Sequence, residues 1–254
     1  MESLANIAFR HPALGSVQAF QRTFGFRLSA YAADDLLHVA PRRDVIALGN
    51  RRFHVSETEY VEIRVNDEPR IFVGGNHNAA VHFMQRYNLH EGRDTFLHVD
   101  RKDHPDNGPV LVRTRDPVKI EEQLASGIIK VSNYVTVLGI CLCRDLQYHF
   151  LYEDGQIPHS WEDNWGWGGM RFATRGDISD FALHAGARAI LSCDLDIFQD
   201  SASREELYQS IAAVARASEV AMFFTSPKFN DTGAHFAERY LDEHLMQGHG
   251  PLSR

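Results

Sequence analysis

Two aspartates one residue apart, Asp194 and Asp196, close the apolar run Ala189-Ile190-Leu191-Ser192-Cys193. Carboxylates at the tip of a buried strand are costly unless a cation meets them. Strand alternation would turn both side chains to the same face, within reach of one ion. A second run, Thr95-Phe96-Leu97-His98-Val99-Asp100, leads into Asp103, His104 and Asp106. A third, Arg70-Ile71-Phe72-Val73-Gly74-Gly75, leads into Asn76 and His77. Three apolar runs ending in Asp or His predict a metal site on the carboxyl edge of a parallel sheet. Carboxylate and imidazole donors without thiolate suit Mn²⁺ or a similar ion, and a pair of such ions would make hydroxide available near neutral pH.

The elements that must position these side chains alternate from about residue 69. Strand-like 70–74 precedes helix-like 77–88, and strand-like 94–100 follows. Helical spacing over 118–125 stops at Gly127, and two apolar stretches cover 134–143 and 148–152. The Gly- and Trp-rich segment 153–172 reads as a long loop. Helix 177–186, strand 189–194, helix 203–217, strand 219–225 and an amphipathic helix over 232–246 complete the pattern. Strands alternating with helices predict an α/β fold, a three-layer αβα sandwich around a mainly parallel sheet, in a single domain over 1–254. Residues 1–66 form a β-rich elaboration whose stretches 36–39, 45–48 and 60–65 suit either a small antiparallel layer or edge strands.

Composition narrows the function classes. With 44% hydrophobic and 24% charged residues among 254, the chain can bury a sizeable core. A net charge of −8 with no basic stripe excludes a general nucleic-acid binder and suits a cationic substrate. No apolar run reaches membrane-spanning length, and the start lacks a basic segment before an apolar core, so the cytoplasm is the expected compartment. Cys141, Cys143 and Cys193 all sit in apolar runs and read as reduced, buried thiols. No second cysteine pair completes a soft-metal site around Cys141 and Cys143. Nothing in the sequence specifies an oligomeric state.

The motifs Val73-Gly74-Gly75-Asn76-His77, His98-Val99-Asp100 with His104-Pro105-Asp106, Ser192-Cys193-Asp194-Leu195-Asp196-Ile197-Phe198 and Thr225-Ser226-Pro227 occur in that order. Over roughly residues 70 to 230 the chain thereby resembles the arginase/deacetylase-like (ureohydrolase) superfamily, and within it the small bacterial branch that includes peptide arginases. The resemblance implies metal ligands at His77, Asp100, His104, Asp106, Asp194 and Asp196, with Asp100, His104 and Asp194 at the reacting centre. The middle motif departs from the family pattern. Read without a gap, Lys102 stands where a His ligand belongs and His104 where an Asp belongs, which leaves a single ion. Read with a two-residue insertion, His104-Pro105-Asp106 restores every ligand type and two Mn²⁺ ions are expected. The gapped register fits the branch's His-Pro-Asp motif, with Arg101 and Lys102 bulged into a loop.

The implied reaction is hydrolysis of a guanidino group, turning arginine into ornithine and urea. No counterpart of the loop that grips free arginine follows His104, whereas Trp161, Trp165 and Trp167 lie on a Gly-rich segment beside acidic residues. Aromatic faces near carboxylates suit an extended cationic peptide, so an arginine-containing peptide precursor is the expected partner, met by Trp165, Trp167 and Asp231. His98 and His159 are the candidates, by position, for protonating the leaving amine. Plainer readings stand beside these: Asp194 and Asp196 as helix caps, His77 as a helix start, Ser226-Pro227 as a strand-ending turn and the Trp segment as an apolar lid. Two rival functions also stay open, a one-metal zinc amidohydrolase of the deacetylase type and a catalytically inactive binding homologue with Lys102 as a surrogate cation.

Overall fold

Apolar runs buried on both faces build the centre of this protein, and the computed structural model orders them into one sheet. It describes residues 7–10, 44–48, 51–55, 60–65, 68–100, 146–151, 188–199, 204–226 and 232–243, with positions 116, 118–120, 123, 129, 134 and 138. The strands are β1 (Ile7–Arg10), β2 (Asp44–Leu48), β3 (Arg51–Val55), β4 (Tyr60–Val65), β5 (Glu68–Gly74), β6 (Thr95–Val99), β7 (Gln147–Leu151), β8 (Ala189–Asp194) and β9 (Val220–Phe224). The α-helices are α1 (Ala79–Arg86), α2 (Arg204–Ala217) and α3 (Gly233–Leu241), and a 3₁₀ turn spans Leu195–Phe198. Among the described residues no helix is long and apolar enough to cross a membrane.

Among the described residues seven strands form a mixed sheet in the order β1-β4-β5-β9-β8-β6-β7. The five from β5 to β7 pair in parallel. On the other side β4 runs antiparallel to β5, and β1 antiparallel to β4. The fold is therefore α/β with a mostly parallel sheet. Of the N-terminal stretches, one joins the main sheet without being its edge, since β1 lies outside it, and one forms a small antiparallel pair. Residues 60–65 extend the main sheet, while 45–48 lie in the separate β2–β3 hairpin. Stretch 36–39 and the segments 153–172 and 177–186 lie outside the described residues.

Period-two alternation divides the core between the two faces of the sheet. Phe72, Phe96, Ile190, Met222 and Phe224 join one cluster with α1 residues Ala80, Phe83 and Met84. Their neighbours Ile71, Val73, Leu97, Leu191, Cys193 and Phe223 join the other, with Leu207 and Ile211 of α2 and Phe236 and Tyr240 of α3. Phe83 stacks on Phe72 at 4.5 Å between ring centres and meets Tyr60 edge-on at 4.8 Å. Each such pair contributes about 0.5–1.5 kcal/mol beyond simple burial. On the opposite face Phe198 of the 3₁₀ turn packs against Phe236 at 4.8 Å, which fixes the chain where it leaves β8. The β2–β3 hairpin is tied to α3 where the Ala47 N–H donates to Glu238 Oε1 at 2.6 Å.

Candidate metal centre

Beyond Gly74 the chain turns before it coils. The Ala79 N–H donates to the Asn76 carbonyl and the Ala80 N–H to the His77 carbonyl, each at 3.0 Å. The sequence predicts helix from residue 77, yet α1 begins at Ala79 and His77 stands in the turn ahead of it. Two more backbone bonds lay this turn against the end of β9: Thr225 N–H to the Gly74 carbonyl at 2.9 Å, and Ser226 N–H to the Gly75 carbonyl at 2.7 Å. The His77 side chain thus belongs to a segment held at both ends, by helix and by sheet.

Asp100 follows β6 and Asp194 ends β8. These strands are paired in the register Val99 to Cys193, so the two aspartates are neighbours across the ladder. His77, Asp100 and Asp194 are all buried, with exposures of 2%, 0% and 2%. The His77 Nδ1 pairs with Asp194 Oδ2 and lies 3.4 Å from Asp100 Oδ2. One donor atom from each of the three falls within 4.8 Å of the others. The second Asp194 oxygen, Oδ1, accepts from the Ser226 hydroxyl at 2.6 Å and from the Asp196 N–H at 3.2 Å. Burial pushes the Asp194 carboxyl up, but the His77 charge and hydrogen bond, with the Ser226 and Asp196 donors, hold it below its ordinary value.

Aromatic residues wall this group in. The Tyr134 ring stacks on His77 at 4.6 Å and meets His98 edge-on at 5.6 Å. His98 Nδ1 is 2.6 Å from the Tyr148 hydroxyl, while its Nε2 is 2.6 Å from the Tyr134 hydroxyl and 3.3 Å from Asp100 Oδ2. Burial pushes the Tyr134 phenol well up, and the nearby Asp100 charge pushes it further, so it stays protonated. Burial likewise raises the Cys193 thiol, which is free and buried as its apolar run predicts. Tyr134, Tyr148 and Ser226 were not singled out as ligand supports from sequence. The tyrosines sit in apolar runs as any core aromatic does, and for Ser226 the sequence signal is its place in the Thr225-Ser226-Pro227 motif just beyond an apolar run.

Of the residues nominated from sequence, His77, Asp100 and Asp194 are brought together. Asp196 takes a different place from the one that strand alternation gives it. Continued strand alternation would put it beside Asp194, but the chain enters the 3₁₀ turn at Leu195 and Asp194 caps that turn. Among the described residues Asp196 is not in the three-residue group, and its N–H rather than its carboxylate meets Asp194. Asp194 therefore combines the capping role with a place in the cluster. His98 lies against Asp100. His104, Asp106, Asp103, Lys102, Cys141, Cys143, His159, Trp161, Trp165, Trp167 and Asp231 lie outside the described residues.

The donor set fits a divalent cation. Two buried carboxylates carry the charge that such an ion neutralises, and an imidazole nitrogen completes an oxygen-and-nitrogen set suited to Mn²⁺ or Zn²⁺. Ligand bonds near 2.1 Å in tetrahedral geometry separate donor atoms by about 3.4 Å. The His77–Asp100 separation of 3.4 Å meets that spacing, while the direct contact between His77 Nδ1 and Asp194 Oδ2 is closer and opens to admit an ion. Compared with protein-family models, curated proteins and solved structures, the chain matches none.

Proposed function

We propose that the protein is a metal-dependent hydrolase that cleaves the guanidino group of arginine side chains in a peptide, giving ornithine and urea. One observation carries the reading: His77, Asp100 and Asp194 converge, buried, beyond the carboxyl ends of the parallel strands β5, β6 and β8. Ligands bind at that edge in open α/β sheets. The choice of reaction rests on the motif resemblance to the ureohydrolase superfamily, and the mostly parallel sheet agrees with the fold it implies.

In this reading His77 Nδ1 and the carboxylates of Asp100 and Asp194 hold a divalent ion, Mn²⁺ by preference. When bound, the ion lowers the pKa of a water molecule to about 7 and so supplies hydroxide at neutral pH. Attack on the guanidinium carbon followed by cleavage of its bond to the side-chain nitrogen releases urea, and the departing amine takes up a proton. The residues contribute placement and charge. His98 and Tyr134 fix Asp100 and His77 in orientation, and their buried surroundings strengthen every charge interaction in the site. His104, Asp106 and Asp196 would serve a second ion, and Trp165, Trp167 and Asp231 the peptide.

The test is incubation of the Mn²⁺-loaded protein with arginine-containing peptides, free arginine and agmatine. Urea release, and a peptide mass lowered by the difference between arginine and ornithine, are expected with the peptides. A protein that binds Mn²⁺ but frees no urea from any of the three would overturn the reading. The separation of Asp196 from the three-residue group favours one second reading, a one-ion zinc amidohydrolase that removes an acyl group from a lysine-like amine. Elemental analysis separates the two: a single Zn²⁺ per chain supports the amidohydrolase, two Mn²⁺ the guanidino hydrolase.

A further inference from the structure

Asp194 divides its two oxygens between two tasks. Oδ2 faces His77 in the three-residue group, while Oδ1 is turned away and held by donors. The Asp196 N–H at 3.2 Å is the longer of these bonds and the Ser226 hydroxyl at 2.6 Å the shorter. A hydroxyl bonded to a carboxylate at that distance is a charge-assisted contact and resists rotation of the carboxylate. Ser226 itself is buried at 3% exposure and adopts a φ of 46°, in the left-handed region that a side chain disfavours. Glycine would relieve that strain at once but would supply no hydroxyl. The backbone of the same residue donates to the Gly75 carbonyl at 2.7 Å, two residues ahead of His77. Ser226 therefore ties the turn that carries His77 to the strand end that carries Asp194, across the tip of β9 that separates them.

We infer that Ser226 is a positioning residue of the metal centre: it clamps one Asp194 oxygen so that the other is presented to a divalent cation. The inference rests on the metal-centre part of the function proposed above and not on the identity of the substrate. Outer partners of metal ligands act through the orientation and basicity of the ligand. The backbone conformation is then a consequence of placing a short hydroxyl side chain where it reaches both β8 and the His77 turn, and the strain is held at the site it serves.

The full-length metal-free protein and its Ser226→Ala and Ser226→Gly variants are titrated with Mn²⁺ by calorimetry, and the Co²⁺-loaded forms are compared by visible absorption. Both variants should bind Mn²⁺ roughly 10- to 100-fold more weakly than wild type. Their Co²⁺ bands should shift, because a freed carboxylate changes its mode of binding. Metal-free Ser226→Gly should melt cooperatively and within a few degrees of wild type, since relief of the strained side chain offsets much of the lost hydroxyl bond, which separates loss of the hydroxyl from loss of the fold. Mn²⁺ affinity within about threefold of wild type in either folded variant would overturn the inference. A wild type that binds no Mn²⁺ would overturn it together with the metal centre. Ser226-dependent Mn²⁺ binding without urea release would remove the proposed activity and leave this inference standing.

Discussion

Acid should unfold this protein through a histidine that is not a candidate ligand. His82 lies on the buried face of α1, 4% exposed, edge-on to Tyr60 and Phe83 at 6.3 and 5.9 Å between ring centres. Burial, helped by the Arg86 charge, pushes its pKa down to about 3. An unfolded histidine titrates near 6.5. Between those two values the unfolded chain binds a proton that the folded chain refuses, so stability rises with pH there and is lost as pH falls. At about pH 4.5, two units below the unfolded value, the loss comes to about 3 kcal/mol, and it stops growing below the folded value. That is a large part of the roughly 5–15 kcal/mol that holds a typical domain together. The Asp194 carboxyl, held low, contributes stability that is present above its unfolded value near 3.9 and lost only as pH falls further, so it lies outside this window.

Denaturant unfolding of wild type and His82→Leu at about pH 7 and about pH 4.5 isolates this residue, because every other titrating group is shared. The variant should lose about 3 kcal/mol less than wild type over that interval. Equal losses in the two proteins would refute the argument that His82 is buried neutral. The consequence reaches the site, since the turn bearing His77 is bonded into the first turn of α1, and acid opening of that helix releases His77 with it.

Four further outcomes follow from the same geometry. Mn²⁺ at a hundredfold excess over its dissociation constant should stabilise wild type by about 2.7 kcal/mol. For a chain of this size that raises the melting midpoint by roughly 5–10 °C. Asp100→Asn should abolish the rise, and a retained rise would exclude Asp100 as a ligand. Tyr134→Phe keeps the ring on His77 but deletes the hydroxyl at 2.6 Å from His98 Nε2, and should cost about 1–3 kcal/mol by thermal or denaturant unfolding. Gly74→Ala should be nearly silent in the same assay, within about 1 kcal/mol, because an added Cβ would sit at ordinary contact, 3.4 Å from Phe224. Gly92→Ala should cost about 1–2 kcal/mol from backbone alone, since Gly92 has a φ of 71° and nothing lies within 4 Å of a Cβ there.

The elements that sequence made legible are those whose signal is local. The runs at 70–74, 94–100, 189–194 and 219–225 became β5, β6, β8 and β9 because each is apolar on both faces and bounded by polar residues. The amphipathic 203–217 became α2, and 232–246 contains α3. β3 gave a weaker signal, opening on Arg51 and Arg52, whose place is fixed by pairing with β2. The antiparallel addition of β4 to β5 is tertiary in origin, and includes a register shift opposite Arg70 that a run of residue types does not encode. At the site, His77, Asp100 and Asp194 were readable because a buried strand end with a charged or imidazole side chain demands a partner. Asp196 leaves the face of Asp194 because β8 ends at Asp194, where the sequence reading also ends it, and a 3₁₀ turn follows. Tyr134 and Ser226 carry no such demand in sequence, and their contacts with His77 and Asp194 exist only once distant segments meet.

Strand order turns three separate strand ends into one cluster. Neighbouring strands lie about 4.8 Å apart, so Asp100 and Asp194, on adjacent β6 and β8, meet without further help. His77 starts from β5, two strand spacings from β8, or about 10 Å, and three from β6. Its turn must therefore reach over the end of β9. That end carries Thr225 and Ser226, small residues whose N–H groups bond the Gly74 and Gly75 carbonyls below the crossing. A large side chain at 226 would have no room there, since Ser226 is buried and its hydroxyl meets Asp194 Oδ1 at 2.6 Å. The short polar tip of β9 is thus as much a condition for the centre as its three donors, although it offers none of them.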